Sequence, residues 1–556
     1  MRIAVVDKEL CKPHKCSQEC ARFCPVNRKG EECVKVAKKS YINEDLCIGC
    51  GICTKKCPFR AISVVNLPAA LKESPIHRFG DNGFALFRLP IPVKGVVGLL
   101  GPNGVGKTTA LKILTGQLKP NLGRGADFTE LIKIHRGTEL QEYLQRLSEN
   151  EIKTAYKPQQ LVLEKDHIVS NLLSSDSIKN LDLESCKDRK LSELSGGELQ
   201  RTAIAKTIEK EADIYLFDEP SSFLDVKQRL NMAKAIRELA SEKHVIVVEH
   251  DLATLDFLAD RIHIFFGQPS VFGIVSKPYI IRKGINTFLS GYIAEDNVKI
   301  RDPIIFSSGV REKKSKEVLT SFNNIHKKYN KFELKISKGT LYKDEILGVF
   351  GSNGLGKTTF AKILAKEIEA EGEISKNLKI SYKPQYIKTD FTGTVQELLT
   401  STKTNDKMLL NQLDIEKLMQ RSVSNLSGGE LQRIAIAICL GRKADLYLLD
   451  EPSAYLDVDQ RLAVAKAIRS ITDSGIMVID HDLLFLSYLA ERAMLFSGIP
   501  GISGSAEMMP LKQGFNTFLK TINVTFRRDP ETKRPRSNKP DSTKDKEQKE
   551  KGEYFL

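Results

Sequence analysis

The stretch GPNGVGKTT at residues 101–109 is the clearest fold signal in the chain, because it joins an apolar run, Val96–Leu100, to a helical pattern that starts at Lys107. In such a strand–loop–helix context, glycines let backbone N–H groups surround a phosphate at a helix N-terminus. The lysine neutralises the β- and γ-phosphates, and the hydroxyl of Thr108 ligates Mg²⁺. The stretch therefore predicts an α/β nucleotide-binding domain.

The same pattern recurs as GSNGLGKTT at residues 351–359, and further strings repeat behind it in the same order. KPQ occurs at 157–159 and 383–385, LSGGELQR at 194–201 and 426–433, DEPS at 218–221 and 450–453, and HD at 250–251 and 481–482. Self-similarity over so long a period indicates a tandem duplication and not a solenoid. We therefore expect two copies of one domain.

The first copy contains an insertion, since 56 positions separate its first glycine from KPQ, against 32 in the second copy. Apolar residues at three- and four-residue steps over 129–147 flank Arg136-Gly137, which predicts a helix–loop–helix. Two interpretations of this element remain open, a solvated surface hairpin and a docking element. The basic groups of the docking interpretation are Lys133, His135, Arg136 and Arg146.

Each copy also has an Asp-Glu pair at the end of a hydrophobic strand and a histidine at the end of another. The aspartate is placed to hold the water shell of the metal, and the glutamate to polarise the attacking water. Recurrence of the histidine at matching positions favours contact with the γ-phosphate over a role in the core. The residues in these roles are Asp218, Glu219 and His250 in the first copy and Asp450, Glu451 and His481 in the second.

Nine of the 11 cysteines lie within the first 57 residues, and eight of them form two runs. The second run has the spacing of a bacterial ferredoxin, and the first is a looser version. In two-cluster ferredoxins the fourth cysteine of each run binds the other cluster. Structural zinc is the alternative, and Cys33 is expected to be a small buried side chain. The predicted [4Fe–4S] ligand sets are Cys24, Cys47, Cys50 and Cys53 for one cluster and Cys11, Cys16, Cys20 and Cys57 for the other.

Composition and charge restrict the class of protein. The 556 residues include 85 Lys and Arg against 70 Asp and Glu, a net charge of +15. This length suggests about three to four domains, and no stretch approaches the roughly 18 apolar residues of a membrane span. The N-terminus runs directly into charged residues, which argues against a secretory signal and for a cytoplasmic protein. The excess positive charge indicates either a polyanionic partner or simply a basic surface.

The phosphate loop, KPQ, LSGGE, DEP and strand-end histidine, in that order, resemble the ATP-binding cassette ATPases over about residues 74–500. LSGGE is the signature of that family, and its amides bind the γ-phosphate of the opposite cassette. The resemblance implies two head-to-tail cassettes that pair within one monomeric chain, with ATP between them. It also implies that Leu224-Asp225 and Leu456-Asp457 are the D-loops of the same interface.

The resemblance implies the following site residues. The first ATP site combines Gly101, Asn103, Gly104, Gly106, Lys107, Thr108, Thr109, Gln159, Asp218, Glu219 and His250 with Ser427, Gly428 and Gly429. The second combines Gly351, Asn353, Gly354, Gly356, Lys357, Thr358, Thr359, Gln385, Asp450, Glu451 and His481 with Ser195, Gly196 and Gly197. The implied Mg²⁺ ligands are Thr108 and Gln159 in the first site, and Thr358 and Gln385 in the second.

Two details of the sites are open at this point. The resemblance places Phe79 and Phe84 near the adenine of one site, and Tyr329 and Phe332 near that of the other, with a core role as the alternative for these rings. The residue before the strand-end histidine also differs between the copies. It is Glu249 in the first copy and Asp480 in the second.

With the cysteine-rich N-terminus included, the resemblance narrows to subfamily E, the ribosome-recycling twin ATPases, in an archaeal type. The implied fold is α/β, with two ATP-binding-cassette P-loop NTPase domains in tandem and an N-terminal ferredoxin-like α+β domain. The implied boundaries are 1–73 for the ferredoxin-like domain, 74–275 for cassette 1 with its insertion at about 125–148, 276–310 for hinge 1, 311–498 for cassette 2, 499–540 for hinge 2 and 541–556 for a flexible tail.

The resemblance further implies an ATP hydrolase that splits ribosomes. Closure of the cassettes would drive the iron–sulfur domain against a release factor or its stalled-ribosome paralogue, and the protein would stay on the small subunit. A role there in re-initiation would bring contact with initiation factors. The insertion and both hinges would meet ribosomal RNA. The arginines expected at this contact are Arg527, Arg528, Arg534 and Arg536.

Other functional classes fit the sequence less well. A redox enzyme that couples ATP to electron transfer remains open, although nothing downstream of the cysteines resembles a redox partner site. Another soluble twin-cassette translation factor would lack the cysteine domain, and a transporter ATPase has no reason to carry clusters. A chromosome or DNA-repair ATPase would separate the lobes of its cassette by a long coiled coil, whereas 35 residues lie between Gln159 and Ser195.

Overall fold

The computed structural model describes residues 2–6, 10–43, 46–59, 61–66, 74–80, 83–123, 125, 128–159, 161, 166–304, 306, 317–387 and 390–555. Parts of several predicted segments lie outside these residues. They include 67–73 at the end of the predicted ferredoxin-like domain, 126–127 in the insertion, 162–165 in cassette 1, 305 and 307–316 at the boundary between hinge 1 and cassette 2, and 556 in the tail.

The N-terminal domain is a small α+β unit whose first and last strands pair antiparallel, Arg2 opposite Asn66. The cysteines lie on the short helices and loops between these strands, and most of them contribute to the buried core of the domain, whereas Cys50 is exposed. Its elements are β1 (Arg2–Val6), α1 (Glu19–Arg22), α2 (Pro25–Arg28), β2 (Val34–Val36), β3 (Ser40–Ile42), α3 (Ile52–Lys56) and β4 (Ile62–Asn66).

The first cassette begins with the short strands β5 (His77–Arg78) and β6 (Ala85–Phe87). Its central parallel strands are apolar and buried on both faces, as expected of strands covered by helices. The remaining elements are β7 (Gly95–Leu100), α4 (Lys107–Leu114), α5 (Phe128–Ile134), α6 (Glu139–Ser148), β8 (Thr154–Lys157), α7 (Ser175–Asn180), α8 (Gly196–Ile208), β9 (Ile214–Asp218), α9 (Val226–Leu239), β10 (His244–Val248), α10 (Leu252–Leu258), β11 (Arg261–Gln268), β12 (Phe272–Val275), β13 (Tyr279–Ile280), α11 (Ile281–Ser290), β14 (Tyr292–Ile293) and β15 (Val298–Lys299).

The second cassette repeats this plan around one sheet, in the strand order β19-β16-β17-β24-β23-β18-β22-β21-β20. Its elements are β16 (Val318–Lys328), β17 (Glu333–Tyr342), β18 (Ile346–Phe350), α12 (Lys357–Leu364), β19 (Glu371–Ile374), β20 (Ile380–Lys383), α13 (Val395–Ser401), α14 (Lys407–Gln412), α15 (Gly428–Leu440), β21 (Leu446–Asp450), α16 (Val458–Ser470), β22 (Gly475–Ile479), α17 (Leu483–Leu489), β23 (Arg492–Ile499) and β24 (Ser503–Pro510). The chain ends with α18 (Leu511–Thr521), β25 (Phe526–Arg528), β26 (Pro535–Ser537) and α19 (Thr543–Glu550).

The predicted phosphate-loop geometry is confirmed in both copies. Helix α4 begins at Lys107 and α12 at Lys357, and each is joined by its six-residue phosphate loop to a buried strand, β7 or β18. The residue before each helix, Gly106 or Gly356, has a φ of 92° or 91°, which a residue with a Cβ adopts only at a cost. The parallel strand order places both loops at the carboxyl edge of a sheet, where ligands bind in open α/β folds.

The predicted helix–loop–helix insertion is also confirmed, as α5 and α6. Leu131, Leu140 and Leu144 are buried between these helices and the rest of the cassette. The hydroxyl of Tyr143 donates a hydrogen bond of 2.5 Å to the carbonyl oxygen of Leu114, at the end of the phosphate-loop helix. The insertion is therefore anchored to the nucleotide-binding core by its apolar face.

Two predicted domain boundaries require correction. The boundary at 498/499 falls inside the antiparallel hairpin of β23 and β24, and β24 also pairs with β17. The boundary at 275/276 precedes β13, which pairs with β11. The sequence analysis did not predict these two strands, because the segments before them contain none of the repeated motifs. Residues 276–280 and 499–510 therefore belong to the cassette sheets, and the hinges begin later.

The prediction of a flexible tail over 541–556 was wrong for the part that the structure describes. Helix α19 lies within it, and Asp545 accepts a hydrogen bond of 2.6 Å from the hydroxyl of Thr525. Phe555 is buried and lies with its ring centroid 4.9 Å from that of Phe515. The charged composition suggested mobility, but two aromatic side chains near the C-terminus, Tyr554 and Phe555, and two buried polar groups, Asp545 and Gln548, hold the segment against hinge 2.

The expectation that four hinge arginines face RNA was wrong for two of them. Arg534 is completely buried, with its Nη1 atom 3.2 Å from an oxygen of Asp256 in α10. Arg536 donates two hydrogen bonds of 3.0 Å to the same carboxylate. Arg528 is exposed and Arg527 is partly exposed, whereas the Arg536 side chain is only 12% exposed and its guanidinium is bonded to Asp256. Hinge 2 is therefore tied to the first cassette through a buried ion pair 278 positions apart in sequence.

We predict that Asp256→Ala destabilises the protein by about 3–5 kcal/mol, because removal of one partner leaves buried guanidinium groups uncompensated. The measurement is the denaturant midpoint followed by circular dichroism. The matched control is Asp302→Ala, which removes the exposed partner of Lys299 (2.7 Å) and should leave the midpoint unchanged. Equal midpoints for Asp256→Ala and the wild type would contradict the structural role of this ion pair.

Candidate active sites and cluster cavities

Each phosphate-loop lysine folds back over its own loop. The Nζ atom of Lys107 donates hydrogen bonds to the carbonyl oxygens of Gly101 (2.8 Å) and Pro102 (2.6 Å). Lys357 makes the same two bonds, at 2.9 and 2.6 Å. Burial lowers the pKa of Lys357 to about 8, and it lowers the pKa of Lys107 as well. Both ammonium groups are therefore shielded from water, and they lie where the phosphate loop is expected to bind a phosphate.

The predicted catalytic side chains of the first copy come together at the same edge of the sheet. The hydroxyl of Thr108 donates to Asp218 (2.7 Å), and the amide nitrogen of Gln159 donates to Glu219 Oε1 (2.8 Å). His250 Nε2 lies 3.4 Å from the same oxygen. Residues from four separate parts of the sequence therefore converge on one small polar site.

The second copy repeats this arrangement. Gln385 donates to Glu451 Oε1 at 2.7 Å, and His481 Nε2 lies 3.6 Å from that oxygen. Neither carboxylate oxygen of the buried Asp450 has a hydrogen-bond partner among the described residues. This buried carboxylate, which lies beside the Thr358 hydroxyl and near the charges of Lys357 and Lys383, fits a divalent cation and its water shell.

The two predicted bases differ in their electrostatic surroundings. Burial is the largest cause of the raised pKa of Glu451, and together with the charges of Asp450 and Asp480 it brings this pKa to about 7. Burial also acts against ionisation of Glu219, but the neighbouring His250 lowers the pKa of this carboxyl to about 2. The residue before the histidine, Glu249 in the first copy and Asp480 in the second, is therefore part of this difference, because the charge of Asp480 helps to raise the pKa of Glu451.

The two cassettes contact each other through reciprocal hydrogen bonds. The backbone N–H of Asn103, in the first phosphate loop, donates to Asp457 of the second D-loop at 2.9 Å. The backbone N–H of Asn353 donates to Asp225 of the first D-loop, also at 2.9 Å. Phe223 and Tyr455 meet edge to face between these contacts, with centroids 5.7 Å apart. The D-loop residues therefore lie against the opposite phosphate loop in both directions.

The signature residues occupy helix N-termini. Ser195 is the N-cap of α8 and Ser427 that of α15, each accepting a hydrogen bond from the backbone N–H three residues later. Helix N-termini favour anions. The first glycine after each serine faces the aromatic ring that precedes its own D-loop, Phe223 or Tyr455, and the second glycine faces the backbone carbonyl of the same residue. Contact between the signature glycines, Gly196, Gly197, Gly428 and Gly429, and a nucleotide on the opposite cassette remains a prediction.

The aromatic residues expected near adenine divide into two kinds. Phe84 and Phe332 are partly buried, and each ring lies directly over the last glycine of its phosphate loop. Phe79 and Tyr329 are 47% and 41% exposed. The first pair thus supports the loop, whereas the second pair leaves ring surface on which a base could stack.

The eight cysteines of the two predicted sets line two separate cavities. One, of about 340 Å³, is lined by Cys24, Cys47, Cys50 and Cys53, and Cys33 also lies in its wall. The other, of about 350 Å³, is lined by Cys11, Cys16, Cys20 and Cys57. Each set thus includes one cysteine from the other run.

The shape of these cavities favours clusters over zinc. Four thiolates that share one zinc ion converge to about 2.3 Å from a single point. Within the described ranges, no three His, Cys, Asp or Glu side chains converge in that way. The four thiols of each set instead line one common cavity, as an iron–sulfur cube requires, since each of its irons takes one cysteine.

Sequence reasoning missed two contacts. Lys157 and Gln200 donate hydrogen bonds to the backbone carbonyl of Glu219, and Lys383 and Gln432 do the same at Glu451. All four residues stand in the repeated strings KPQ and LSGGELQR, so their recurrence was an available signal. Recurrence alone does not reveal that a side chain contacts the backbone of a residue 19 or more positions away.

No helix within the described part of the chain has the length and hydropathy needed to cross a membrane.

Comparison with protein families matches three parts of the chain. A model described as "ABC transporter" matches residues 87–222 and 334–454. A model described as "Possible Fer4-like domain in RNase L inhibitor, RLI" matches residues 1–32, and a "4Fe-4S binding domain" matches residues 40–63. These matches cover the two cassettes and both cysteine runs.

Individual proteins are similar over the whole chain. The translation initiation factor RLI1 of Saccharomyces cerevisiae is 45% identical, over 100% of this chain and 98% of its own length. A solved structure described as a model of ribosome-bound archaeal Pelota and ABCE1 superposes with a TM-score of 0.95 at 48% identity, covering 100% of this chain and 99% of that one. A structure of an archaeal ribosome recycling factor, aABCE1, with the ribosomal stalk protein aP1 has a TM-score of 0.82 at 47% identity, covering 88% and 100%.

The fold, the paired phosphate loops and the cysteine cavities agree with these similarities. Nucleotide binding and ATP hydrolysis follow from the cassettes, and iron–sulfur binding follows from the N-terminal domains. The chain belongs to the E family of ATP-binding cassette proteins, the family of RLI1 and ABCE1.

Proposed function

We propose that this chain is an ATP-driven ribosome recycling factor that separates the large and small subunits after termination or stalling. The observation that carries the proposal is the pairing of two complete cassettes through reciprocal D-loop contacts, in a chain that also has an iron–sulfur domain. Similar proteins include a translation initiation factor and a ribosome recycling factor. The proposed location is the cytoplasm.

ATP would be hydrolysed in each composite site. The Mg²⁺ ligands would be Thr108 and Gln159 in the first site, and Thr358 and Gln385 in the second, and the ion would neutralise phosphate charge. The amide nitrogen of each glutamine is bonded to a glutamate, so its oxygen remains for the metal. Glu219 and Glu451 would accept the proton of the attacking water, with His250 and His481 near the γ-phosphate. The products would be ADP and phosphate.

Closure on ATP would produce mechanical work. Each nucleotide would join the phosphate loop of one cassette to the signature helix of the other, so binding favours the closed arrangement and hydrolysis releases it. The N-terminal domain would hold two [4Fe–4S] clusters, which crosslink short segments that bury little apolar surface on their own. The clusters therefore serve as a rigid scaffold that transmits the movement of the cassettes.

The proposed partners follow from this mechanism. They are the small ribosomal subunit with its RNA, a release factor or its stalled-ribosome paralogue, and initiation factors. One of the similar structures holds Pelota and ABCE1 together on a ribosome. The chain would act as a monomer, because its two cassettes already form the paired interface within one chain.

We predict that the purified protein, with a release-factor-type partner and a non-hydrolysable ATP analogue, converts assembled ribosomes into subunits. The measurement is sedimentation in a sucrose gradient, where the ribosome peak should be replaced by subunit peaks and the protein should migrate with the small subunit. The control replaces the analogue with ADP. A ribosome peak that is unchanged by protein, partner and analogue together would contradict the proposed function.

A further inference from the structure

The predicted base of each site has an unusual backbone conformation. The φ angle is 46° at Glu219 and 48° at Glu451, in the left-handed region that side-chain-bearing residues rarely adopt. Such a conformation persists only where the surroundings hold it in place, and it is concentrated at functional sites. Its occurrence in both copies shows that it belongs to the repeated design of the site.

Two buried side chains hold this backbone in the first copy. Gln200 Nε2 donates to the carbonyl oxygen of Glu219 at 2.8 Å. Lys157 Nζ donates to the same oxygen at 3.3 Å and to the carbonyl oxygen of Asp218 at 2.9 Å. The N–H of Glu219 bonds to the carbonyl oxygen of Val248 at 3.0 Å. Both main-chain polar groups of the glutamate are therefore satisfied in its strained conformation.

The second copy has the same contacts. Gln432 Nε2 donates to the carbonyl oxygen of Glu451 at 2.6 Å. Lys383 Nζ donates to the carbonyl oxygens of Asp450 (2.7 Å) and Glu451 (3.3 Å). The two lysines and two glutamines thus contact the same atoms in two copies that differ elsewhere in sequence.

The burial of these lysine and glutamine side chains is unfavourable unless their hydrogen bonds compensate for the lost hydration. Lys157, Lys383, Gln200 and Gln432 are each 1% exposed. A buried ammonium group is unfavourable unless it is paired or well hydrogen-bonded. Among the described residues, neither lysine has a carboxylate ion-pair partner, and their nearest acceptors are the two backbone carbonyls.

We propose that Lys157 with Gln200, and Lys383 with Gln432, are positioning residues for ATP hydrolysis: they hold the strained backbone of Glu219 and Glu451 so that each carboxylate faces the attacking water. The proposal rests on the proposed role of these glutamates as bases, and it is independent of ribosome splitting. The carboxylate itself accepts a hydrogen bond from Gln159 or Gln385, and the nearby histidine Nε2 lies 3.4 Å away in the first copy and 3.6 Å away in the second. The lysine and glutamine act on the other end of the same residue.

The test isolates the first site in the Glu451→Gln protein and adds Lys157→Met, which keeps side-chain length but removes the donor. We expect kcat for phosphate release to fall on the order of 10²-fold, because misplacing a reacting group by about 1 Å has an effect of that size. The KM for ATP should stay within about threefold. In a protein that also carries Glu219→Gln, Lys157→Met should cause no further loss, since it acts only through the glutamate.

Two further variants separate positioning from general destabilisation. Tyr215→Phe removes a buried hydrogen bond of 2.5 Å at the other end of strand β9 and should leave kcat unchanged. Gln200→Ala removes the other donor to the Glu219 carbonyl without disturbing a buried charge, so it tests the proposal even if Lys157→Met does not fold. We expect it to lower kcat with the same dependence on Glu219.

Three results would overturn the proposal: an unchanged kcat in both variants, an equal loss in Tyr215→Phe, or a loss that persists in full in the Glu219→Gln protein. If Glu219→Gln itself leaves hydrolysis unchanged, the assignment of the base fails instead, which is a distinct result. Lys383→Met in a Glu219→Gln protein provides the corresponding measurement for the second site.

Discussion

Replacement of both predicted bases, Glu219→Gln with Glu451→Gln, should reduce ATP hydrolysis by about 10²–10⁴-fold while leaving ATP bound, because general-base catalysis typically contributes that factor. Both carboxylates are partly buried, each accepts a hydrogen bond from a glutamine, and each lies near a histidine. The amide keeps the size of the side chain but cannot accept the proton. The measurements are phosphate release and retention of labelled ATP after gel filtration.

The single variants show whether the two sites are equivalent. The repeated motifs of the two sites differ only at positions 102/352 and 105/355 of the phosphate loops. Burial is the largest influence on the pKa of both glutamates, but His250 opposes it at Glu219, whereas Asp450 and Asp480 add to it at Glu451. Glu242→Gln, an exposed carboxylate in the same cassette, is the matched control and should hydrolyse ATP normally. Normal turnover by the double variant would reject the assignment of the bases.

Replacement of two cluster ligands, Cys47→Ser with Cys50→Ser, should remove about half of the bound iron and sulfide and abolish ribosome splitting, since each set of four cysteines would hold one of two clusters. ATPase activity should fall by no more than about twofold, because these cysteines belong to the N-terminal domain and not to the cassettes. The measurements are iron and labile sulfide per chain, and sedimentation of ribosomes.

The assignment of cysteines to clusters can be tested separately. Cys20→Ser with Cys57→Ser removes two ligands from one cavity and should leave one cluster, whereas Cys53→Ser with Cys57→Ser removes one ligand from each and should leave neither. Cys186→Ser, at a buried thiol in the first cassette, is the control and should retain all iron. Equal iron contents for the two double variants would contradict the crossed ligand sets, and splitting that survives cluster loss would contradict the scaffold role.

Local patterns predicted the elements that bear the nucleotide sites. They predicted the helices that start at Lys107 and Lys357, the strands that end at Asp218 and Asp450, and the helical insertion. Each of these elements depends on glycine placement or on apolar periodicity within about 20 residues. The structure of the C-terminal tail could not be predicted in this way. Its charged composition predicted mobility, but the position of Phe555 against Phe515 depends on a surface formed by the rest of the chain.

The sequence by itself determined the duplication, the phosphate loops, the two cysteine runs and the family, because these are encoded in short strings with fixed spacing. Only the tertiary structure decided which distant groups meet: Asn103 with Asp457, Arg534 with Asp256, and Lys157 with the backbone of Glu219. It also decided that Glu219 and Glu451, which stand in identical DEPS strings, have different electrostatic surroundings. The physical reason is that burial and charge pairing depend on how whole domain surfaces pack, and residues 62 to 354 positions apart leave no local signal of their contact.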